Sequence, residues 1–274
     1  MLQKAMRMKT ALVVLSLWGL AHNSFSQTQT PIKPIDDPKL KTAIEELVSA
    51  NHILAHEGVM PTYGHISMRS PINPNRMLMS RSLAPGKVTA SDIIEMDLDC
   101  TPSEPNGPLL YQERFIHCAI YKARADVGAV VHSHTPYMIT FSVSDAPLRP
   151  VVNAAQMMSP EPVPVHDTSD TGLSENNLIA SPESARSLAE KLGSGPVVLM
   201  RGHGSTVVAP DVRSVVTAAR AVELNAKVLL NAKLLGGKIT YLNPKNYGNQ
   251  RLMKVLGPEA REWNALKSSA TGQK

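Results

Sequence analysis

His132 and His134 are the residues of this chain best suited to chemistry, because they stand two positions apart at the end of an apolar run. Side chains of an extended segment alternate between its two faces, so both imidazoles point to the same side. A neutral imidazole nitrogen is the commonest protein ligand for a divalent cation. The pair therefore predicts a metal site at the end of a buried strand, provided that other residues supply further ligands.

Two further residues complete this candidate site. His203 lies after a second apolar run, between glycines that allow a close backbone approach or a positive φ. Glu113 lies in the first turn of a predicted helix. Three imidazoles with one carboxylate and an open position are typical of a catalytic metal site rather than a closed structural one. The alternative is that each histidine is an ordinary core or surface residue.

The elements that must position these residues alternate between strand and helix. Apolar residues at helical spacing predict helices over 38–58, 113–124, 137–143, 181–192, 212–235 and 249–267, with a short capped turn at 89–92. Alternating or continuous apolar runs predict strands over 63–69, 76–80, 94–98, 127–132, 163–165, 196–200 and 205–209. No repeat or linker divides this pattern, which favours one α/β domain over 39–274, built on a mixed sheet.

The N-terminal segment has the pattern of an export signal. Basic residues precede an apolar stretch at 10–21, which is shorter than the roughly 20 residues that span a bilayer, and small residues follow it. We expect a signal peptide at 1–26 and a flexible polar lead-in at 27–38, with a buried N-terminal helix as the alternative. The mature protein is then expected to be periplasmic or secreted, with no stable membrane anchoring after signal cleavage.

Composition narrows the class of partner. The 274 residues are 43% hydrophobic and 19% charged, as in ordinary soluble globular proteins. The net charge is +5, but the basic residues are scattered and aromatic residues make up only 4%. Nucleic-acid binding needs basic patches with stacking rings, so we expect no nucleic-acid partner and instead a small-molecule substrate.

The chain has two cysteines, Cys100 and Cys118. They could pair in an oxidising compartment, but a single pair is not a disulfide framework. Cys118 lies in a helix-like apolar stretch, which is typical of a small buried residue. We expect no bridge between them.

Several motifs together resemble the class II aldolase/adducin family, which includes L-fuculose-phosphate aldolase. They are Glu113, the VVHSH run at 130–134, the later His203-Gly204, and the GHISMR segment at 64–69, which is similar to the family's Gly-Asn-x-Ser-x-Arg loop. The resemblance runs from about residue 40 to about residue 242. It implies a three-layer α/β/α sandwich around a central mixed, largely antiparallel sheet. It also implies a homo-oligomer, commonly a tetramer with the site at a subunit interface.

The resemblance assigns roles to the four candidate ligands. His132, His134 and His203 would bind a divalent cation, usually zinc, with manganese, cobalt or iron as alternatives. Glu113 would ligate the resting metal and act as the catalytic acid or base once substrate displaces it. His117, one helical turn beyond Glu113, could support it or could simply pack the helix.

The chain departs from the sugar-phosphate members of the family where they hold phosphate. His65 replaces the loop asparagine, and Tyr111-Gln112 replaces a serine pair, so hydroxyl donors to a phosphate are missing. His65 and Tyr111 could instead bind phenolic or carboxylate oxygens, and Arg81 could hold a carboxylate or be a surface arginine. The candidate substrate-binding residues are Gly64, His65, Ser67, Arg81 and Tyr111. In these respects the chain is more similar to the branch that decarboxylates dihydroxylated aromatic acids.

We therefore expect a divalent-metal-dependent carbon–carbon lyase, a decarboxylase or an aldolase. Its substrate would be a non-phosphorylated hydroxy or dihydroxy-aromatic acid, cleaved through a metal-stabilised enolate with Glu113 moving the proton. Two alternatives stay open. One is a non-catalytic adducin-like binding module, and the other is an iron-dependent oxygenase on the same ligands, since ligand type does not select the metal.

Overall fold

A computed structural model describes residues 37–104, 107–173, 176–246 and 258–272. The expected signal peptide at 1–26 and most of the lead-in at 27–38 lie outside these ranges. No helix within the described ranges combines the length and the apolar character that crossing a membrane requires.

Seven strands form one mixed sheet in the order β3-β2-β1-β4-β7-β6-β5. They are β1 (His65–Arg69), β2 (Arg76–Ser80), β3 (Ile93–Asp97), β4 (Ala129–Ser133), β5 (Val165–His166), β6 (Val197–Met200) and β7 (Gly204–Ala209). All neighbours pair antiparallel except β5 and β6, which are parallel. The expectation of a mixed, largely antiparallel sheet is confirmed.

The helices begin at residues suited to that position. They are α1 (Pro38–His56), α2 (Arg114–Ala123), α3 (Pro136–Ser142), α4 (Pro182–Leu192), α5 (Val212–Leu234) and α6 (Pro258–Thr271). The side chains of Asp37, Ser181 and Asp211 accept hydrogen bonds from first-turn N–H groups of α1, α4 and α5. The capped turn predicted at 89–92 is a short 3₁₀ helix, Ala90–Asp92, preceded by Thr89.

Helices cover both faces of the sheet, and the alternation of β4 shows how. Val130 packs in a buried cluster with Ile116 of α2 and Leu188 of α4. Val131 points the other way and packs in a second cluster with Val215 of α5, to which α1, α3 and α6 also contribute. A strand buried on both faces has a continuous apolar run, as this one does. The result is the α/β/α sandwich that the resemblance implied.

The bounds of several predicted elements differ by one or more residues in the structure. The first strand begins at His65 rather than at 63, and the short strand at the edge of the sheet is Val165–His166, directly after Pro164. The last helix is Pro258–Thr271, whereas the prediction was 249–267, whose residues 249–257 lie outside the described part.

The expectation that Cys100 and Cys118 stay unpaired was wrong, because the structure joins them in a disulfide. Cys100 follows β3 with a φ of 65°, a left-handed conformation that turns the chain back toward α2, where Cys118 lies. The two Cα atoms are 5.9 Å apart, which is an ordinary span for a bridge. The pairing depends on how β3 and α2 pack, and neither the spacing nor the apolar surroundings of the cysteines reveal that packing.

Candidate active site

The end of β4 aims its histidines at the layer formed by α2 and α4. His132 has the same parity as Val130, so its side chain points to that layer. It is fully buried, and His65 of β1 and Thr206 of β7 stand directly opposite it on the two neighbouring strands. His134 follows just past the strand and is half-buried.

His203 reaches the same point from the turn between β6 and β7. Its backbone N–H donates to the carbonyl of Met200 at 3.0 Å, and Gly202 has a φ of 65°, as a tight turn requires. At Gly204, a Cβ would collide with the carbonyl oxygen of Ser133. Only glycine allows β7 to start this close to the end of β4, and the close approach carries the imidazole of His203 to that of His134.

Glu113 comes from the start of α2. It is the residue before the helix, but its side chain turns away from the helix N–H groups. Its Oε1 accepts a hydrogen bond from the backbone N–H of Ile179 at 2.9 Å. Its Oε2 lies 3.4 Å from Nε2 of His132 and 3.3 Å from Nε2 of His203. Ligand atoms of Glu113, His132, His134 and His203 all lie within 4.8 Å of one another.

Backbone carbonyls fix the ring orientation of two histidines. Nδ1 of His132 lies 3.0 Å from the carbonyl oxygen of Ser205, and Nδ1 of His203 lies 3.2 Å from that of Asn177. A carbonyl oxygen only accepts, so each Nδ1 carries a proton and the Nε2 of each ring is the nitrogen that faces the centre of the cluster. This is the arrangement typical of histidines that ligate metal.

The electrostatics of the cluster agree with a cation at its centre. Burial alone would raise the pKa of Glu113, but His132 and His203 outweigh it and hold this pKa well below its usual range. Burial, together with the charges of His132 and His203, lowers the pKa of His134 to about 3. Nε2 of His134 lies 2.8 Å from that of His132 and 3.0 Å from that of His203. So many electron pairs around one point are stabilised by a positive ion, and the donor set fits a divalent metal.

A cavity of about 590 Å³ opens beside the cluster. This volume suits a small organic molecule. Glu113 and His134 form its inner wall, and most of the remaining wall is apolar. The other lining residues come from loops and strand ends: Thr62, Tyr63, Gly64, His65, Ser82, Leu83, Ala84, Leu109, Leu110, Tyr111, Gln112 and Leu178.

The structure brings three of the five candidate substrate-binding residues to this cavity. Gly64, His65 and Tyr111 line it. The hydroxyl of Tyr111, however, donates to the carbonyl of Leu83 at 2.5 Å and accepts from the N–H of the same residue at 3.3 Å. The ring of Tyr111, whose centroid is 4.7 Å from that of His65, is therefore the part that faces the site.

Arg81 and Ser67 are not brought to the cavity. Nε of Arg81 pairs with Oδ1 of Asp92 at 2.6 Å, and this carboxylate also caps the 3₁₀ helix that follows Thr89. Ser67 lies behind His65, where its hydroxyl bonds Nδ1 of His117 at 2.6 Å and the hydroxyl of Tyr121 at 2.8 Å.

The buried hydrogen bonds behind His65 are the main feature that sequence reasoning missed. His65 and Ser67 lie two apart on β1, and His117 and Tyr121 lie four apart on α2, so the two pairs face each other across the layer. Burial lowers the pKa of both His65 and His117 well below the usual range, so both rings are neutral. The spacing of His117 and Tyr121 was a visible signal, but only the packing of α2 on β1 gives it a meaning.

A cluster of three imidazoles and a carboxylate at the ends of a sandwiched sheet, beside a cavity, is the arrangement of a metal-dependent enzyme. Residues 45–230 match the family model for the class II aldolase and adducin N-terminal domain. The chain belongs to this family.

Two of the similar proteins are named decarboxylases. The chain is 35% identical over 204 residues to the decarboxylase tropJ of Talaromyces stipitatus, a match that covers 68% of this chain and 74% of the relative. It is 31% identical over 212 residues to a 3,4-dihydroxyphthalate decarboxylase of Arthrobacter keyseri, covering 72% and 81%.

Solved structures show the same fold. An aldolase II superfamily protein from Pseudomonas syringae has a TM-score of 0.71 at 26% identity, covering 86% of this chain and 94% of that one. An L-fuculose 1-phosphate aldolase from Glaciozyma antarctica has a TM-score of 0.67 at 22% identity, covering 88% and 96%, and is similar in fold. The chain is thus an enzyme of the class II aldolase type, a lyase that acts on a small molecule.

Proposed function

We propose that this enzyme is a divalent-metal-dependent decarboxylase of dihydroxylated aromatic acids. The observation that carries the proposal is the lining of the cavity. Among the described residues, no lysine or arginine lines it, and six of its fourteen lining residues are leucine or tyrosine, among them Leu83, Leu109 and Tyr111. A phosphate group would enter without a cationic partner from this chain, whereas a flat aromatic ring would fill such walls well.

The residues that would hold the metal are His132, His134, His203 and Glu113, and we expect zinc, with manganese, cobalt or iron as alternatives. A divalent cation bound there supplies positive charge that stabilises the electron pair left on the substrate when carbon dioxide departs. The three histidines orient it, since two of them are fixed by the carbonyls of Ser205 and Asn177.

Glu113 is the residue that would move the proton. Decarboxylation breaks the bond between the ring carbon and the carboxylate, releases carbon dioxide, and leaves a carbon that must take up one proton. Glu113 lines the cavity, and its Oε2 faces the cluster while its Oε1 is held by the N–H of Ile179. The carboxyl group is therefore oriented to carry a proton between solvent and the reacting carbon.

A substrate screen tests this proposal. The purified protein is analysed for metal, loaded separately with zinc, manganese, cobalt or iron(II), and incubated with dihydroxybenzoates, dihydroxyphthalates, hydroxy-keto acids and sugar phosphates. We expect about one metal ion per subunit, and carbon dioxide release from a dihydroxy-aromatic acid that stops on chelation. Aldehyde release from a sugar phosphate as the main activity, or full activity of the metal-free protein, would overturn the proposal.

Oxygen uptake is recorded in the same screen, because the iron-dependent oxygenase is the other chemistry these ligands support. Carbon dioxide release under strict anaerobiosis supports the decarboxylase. Turnover of a catecholic acid that requires iron and oxygen would assign the site to oxygenase chemistry instead.

We also propose that the protein is exported. The basic and apolar pattern at 1–26 supports this, and so does the buried disulfide between Cys100 and Cys118, since such bridges persist in oxidising compartments. The protein would then act in the periplasm or outside the cell. Fractionation of the native source followed by N-terminal sequencing tests it, and a mature chain in the cytoplasm that retains residues 1–26 would contradict it.

Finally, we propose a homo-oligomer, and a tetramer by resemblance. Exposed apolar side chains occur on α5 at Leu224 and Val228 and directly after its last residue at Leu235, which is 88% exposed. Several exposed apolar side chains close together along one helix are typical of a subunit interface. Light scattering after size-exclusion chromatography measures the subunit number, and a monomer at micromolar concentration would exclude the assembly.

A further inference from the structure

A line of three hydrogen bonds runs from the core to the cavity wall. The Tyr121 hydroxyl bonds the Ser67 hydroxyl at 2.8 Å, Ser67 bonds Nδ1 of His117 at 2.6 Å, and Nε2 of His117 bonds Nδ1 of His65 at 2.7 Å. All four residues are buried, and His65 is the member that lines the cavity.

The number of exchangeable protons limits which residue donates in each of these three hydrogen bonds. Two hydroxyls and two neutral imidazoles carry four exchangeable protons, and three hydrogen bonds use three of them. The fourth proton lies on Nε2 of His65, on the outer side of the Tyr121 hydroxyl, or on a Ser67 hydroxyl that accepts from both of its neighbours.

The two ends are not equivalent. Within the described part of the chain, the Tyr121 hydroxyl has Ser67 as its only hydrogen-bond partner, and the phenol is buried. A proton pointing outward from that hydroxyl, or from a Ser67 hydroxyl that accepts on both sides, would be a buried donor without an acceptor among the described residues, which is unfavourable. Nε2 of His65 has no partner among the described residues either, but it belongs to a residue that lines an open cavity.

We propose that Ser67 and His117 fix the tautomer of His65, so that His65 presents an Nε2–H donor to the cavity. Tyr121 donates to Ser67, Ser67 donates to Nδ1 of His117, and Nε2–H of His117 donates to Nδ1 of His65. Ser67 and His117 are therefore positioning residues. His65 is not a further metal ligand, because its outer nitrogen carries a proton.

The proposal defines what His65 recognises. An imidazole N–H fixed in this way accepts no hydrogen bond, so it binds an oxygen acceptor, most strongly a carboxylate or phenolate, and disfavours a group that can only donate, such as an ammonium. Only the identity of that ligand as an aromatic acid rests on the proposed function. The tautomer itself follows from the hydrogen bonds of this chain.

Nitrogen-15 NMR of histidine-labelled, zinc-loaded protein tests the tautomer directly, because protonated and unprotonated ring nitrogens give well-separated signals. The His65 resonances are assigned by their loss in His65→Gln. We expect the proton on Nε2 of both His65 and His117. A wild-type spectrum with the proton on Nδ1 of His65 would overturn the proposal, and this measurement needs no altered chain.

Two variants test whether the direction of the hydrogen bonds, rather than the packing of the side chains, sets the tautomer of His65. Ser67→Ala removes the group that donates to His117, so we expect His65 to become a mixture of tautomers. Tyr121→Phe removes a hydroxyl from the same line, but Ser67 can then donate only to His117, and His65 should keep its Nε2 proton. Thermal unfolding checks that both variants fold. A Ser67→Ala spectrum identical to that of the wild type would contradict the proposal.

Binding of 3,4-dihydroxybenzoate to the zinc-loaded protein, measured by calorimetry, tests the donor. His65→Leu should weaken binding roughly 10- to 100-fold, the range for a hydrogen bond to a charged group. The amide nitrogen of glutamine reaches a similar position, so His65→Gln should keep most of the wild-type affinity. Wild-type affinity in His65→Leu would refute the donor role. If the wild type binds no aromatic acid, the proposed function fails, while the NMR spectrum still decides the tautomer.

Discussion

The Nδ1–H of His132 donates a hydrogen bond to the backbone carbonyl of Ser205, 3.0 Å away on the neighbouring strand. Because β4 and β7 are paired in register around these residues, the acceptor is part of the sheet and cannot move independently of it. The lone pair of Nε2 is thus aimed by backbone geometry, and a metal would bind to an imidazole that is already in the required orientation.

Replacing His132 tests the ligand set. Loss of a residue that only orients a ligand lowers metal affinity roughly 10- to 100-fold. We expect His132→Ala to lower metal affinity by more than this, and activity should fall with it. His56→Ala is the matched control, because His56 is an exposed histidine at the end of α1. Elemental analysis after dialysis measures metal content. Equal metal content in the two variants would exclude His132 as a ligand.

Glu113→Gln tests the proton-transfer role. The glutamine oxygen can still accept the N–H of Ile179, so the fold should be kept, but an amide cannot carry a proton. We expect kcat to fall about 10²–10⁴-fold on the acid identified by the screen, even at saturating zinc. Rates and metal content are measured together, so that loss of metal is distinguished from loss of proton transfer. A fully metallated variant with wild-type kcat would remove Glu113 from the mechanism.

Removing the disulfide should lower the free energy of unfolding. Cys100 and Cys118 are separated by 18 positions, and closing a loop of this size stabilises a protein by about 3 kcal/mol in the chain-entropy model. We therefore expect Cys100→Ser with Cys118→Ser to unfold at lower urea concentration than the oxidised wild type.

A reductant provides the control for this prediction. It should lower the unfolding midpoint of the wild type toward that of the double variant and leave the double variant unchanged. Alkylation followed by mass spectrometry counts free thiols in the purified protein. Two reactive thiols in the exported, untreated protein would contradict the bridge.

Asp92 makes a pH-dependent contribution to stability. Burial raises its pKa, but hydrogen bonds from Thr89 and Arg81 outweigh burial, so the folded pKa lies below the ordinary value of 3.8. A depressed carboxyl pKa stabilises the fold at pH values above 3.8, and this stabilisation is lost as the pH falls through the lower folded pKa.

Asp92→Asn should therefore be less stable than the wild type at pH 7, and the difference should shrink below about pH 4. Urea unfolding at a series of pH values measures it. Asp145→Asn makes the same change of charge at an exposed position of the loop after α3, and we expect it to leave the stability profile nearly unchanged. If the free energies of unfolding of Asp92→Asn and the wild type differ by the same amount down to pH 2.5, the lowered pKa of Asp92 is contradicted.

Local patterns in the sequence were sufficient to predict one α/β domain on a mixed sheet and the convergence of Glu113, His132, His134 and His203, whereas the three-layer sandwich was predicted from the family resemblance. A continuous apolar run ending in His132 and His134 predicts a buried strand with same-face imidazoles, and glycines around His203 predict a tight turn. Gly202 with its positive φ and Gly204 in its close contact with Ser133 confirm that interpretation.

Features that depend on packing between distant elements could not be predicted. The bridge to Cys118 needs the left-handed turn at Cys100, and the position of Arg81 needs the Asp92 carboxylate of a neighbouring cap. The same is true of the hydrogen bonds that connect Tyr121, Ser67, His117 and His65. They require His65 to lie opposite His132 and α2 to pack over both residues. Each of these contacts joins residues whose separation along the chain gives no periodic signal.

The candidate metal ligands and the walls of the cavity come from different parts of the fold. The candidate metal ligands stand at strand ends and before α2, where strand pairing and the hydrogen bond from Ile179 to Glu113 hold them, but the cavity walls come largely from connecting segments around 62–64, 82–84, 109–112 and 178. Loops tolerate sequence change far better than paired strands. Natural or laboratory evolution can therefore change the substrate through substitutions in those segments, while Glu113 and the three histidines stay unchanged.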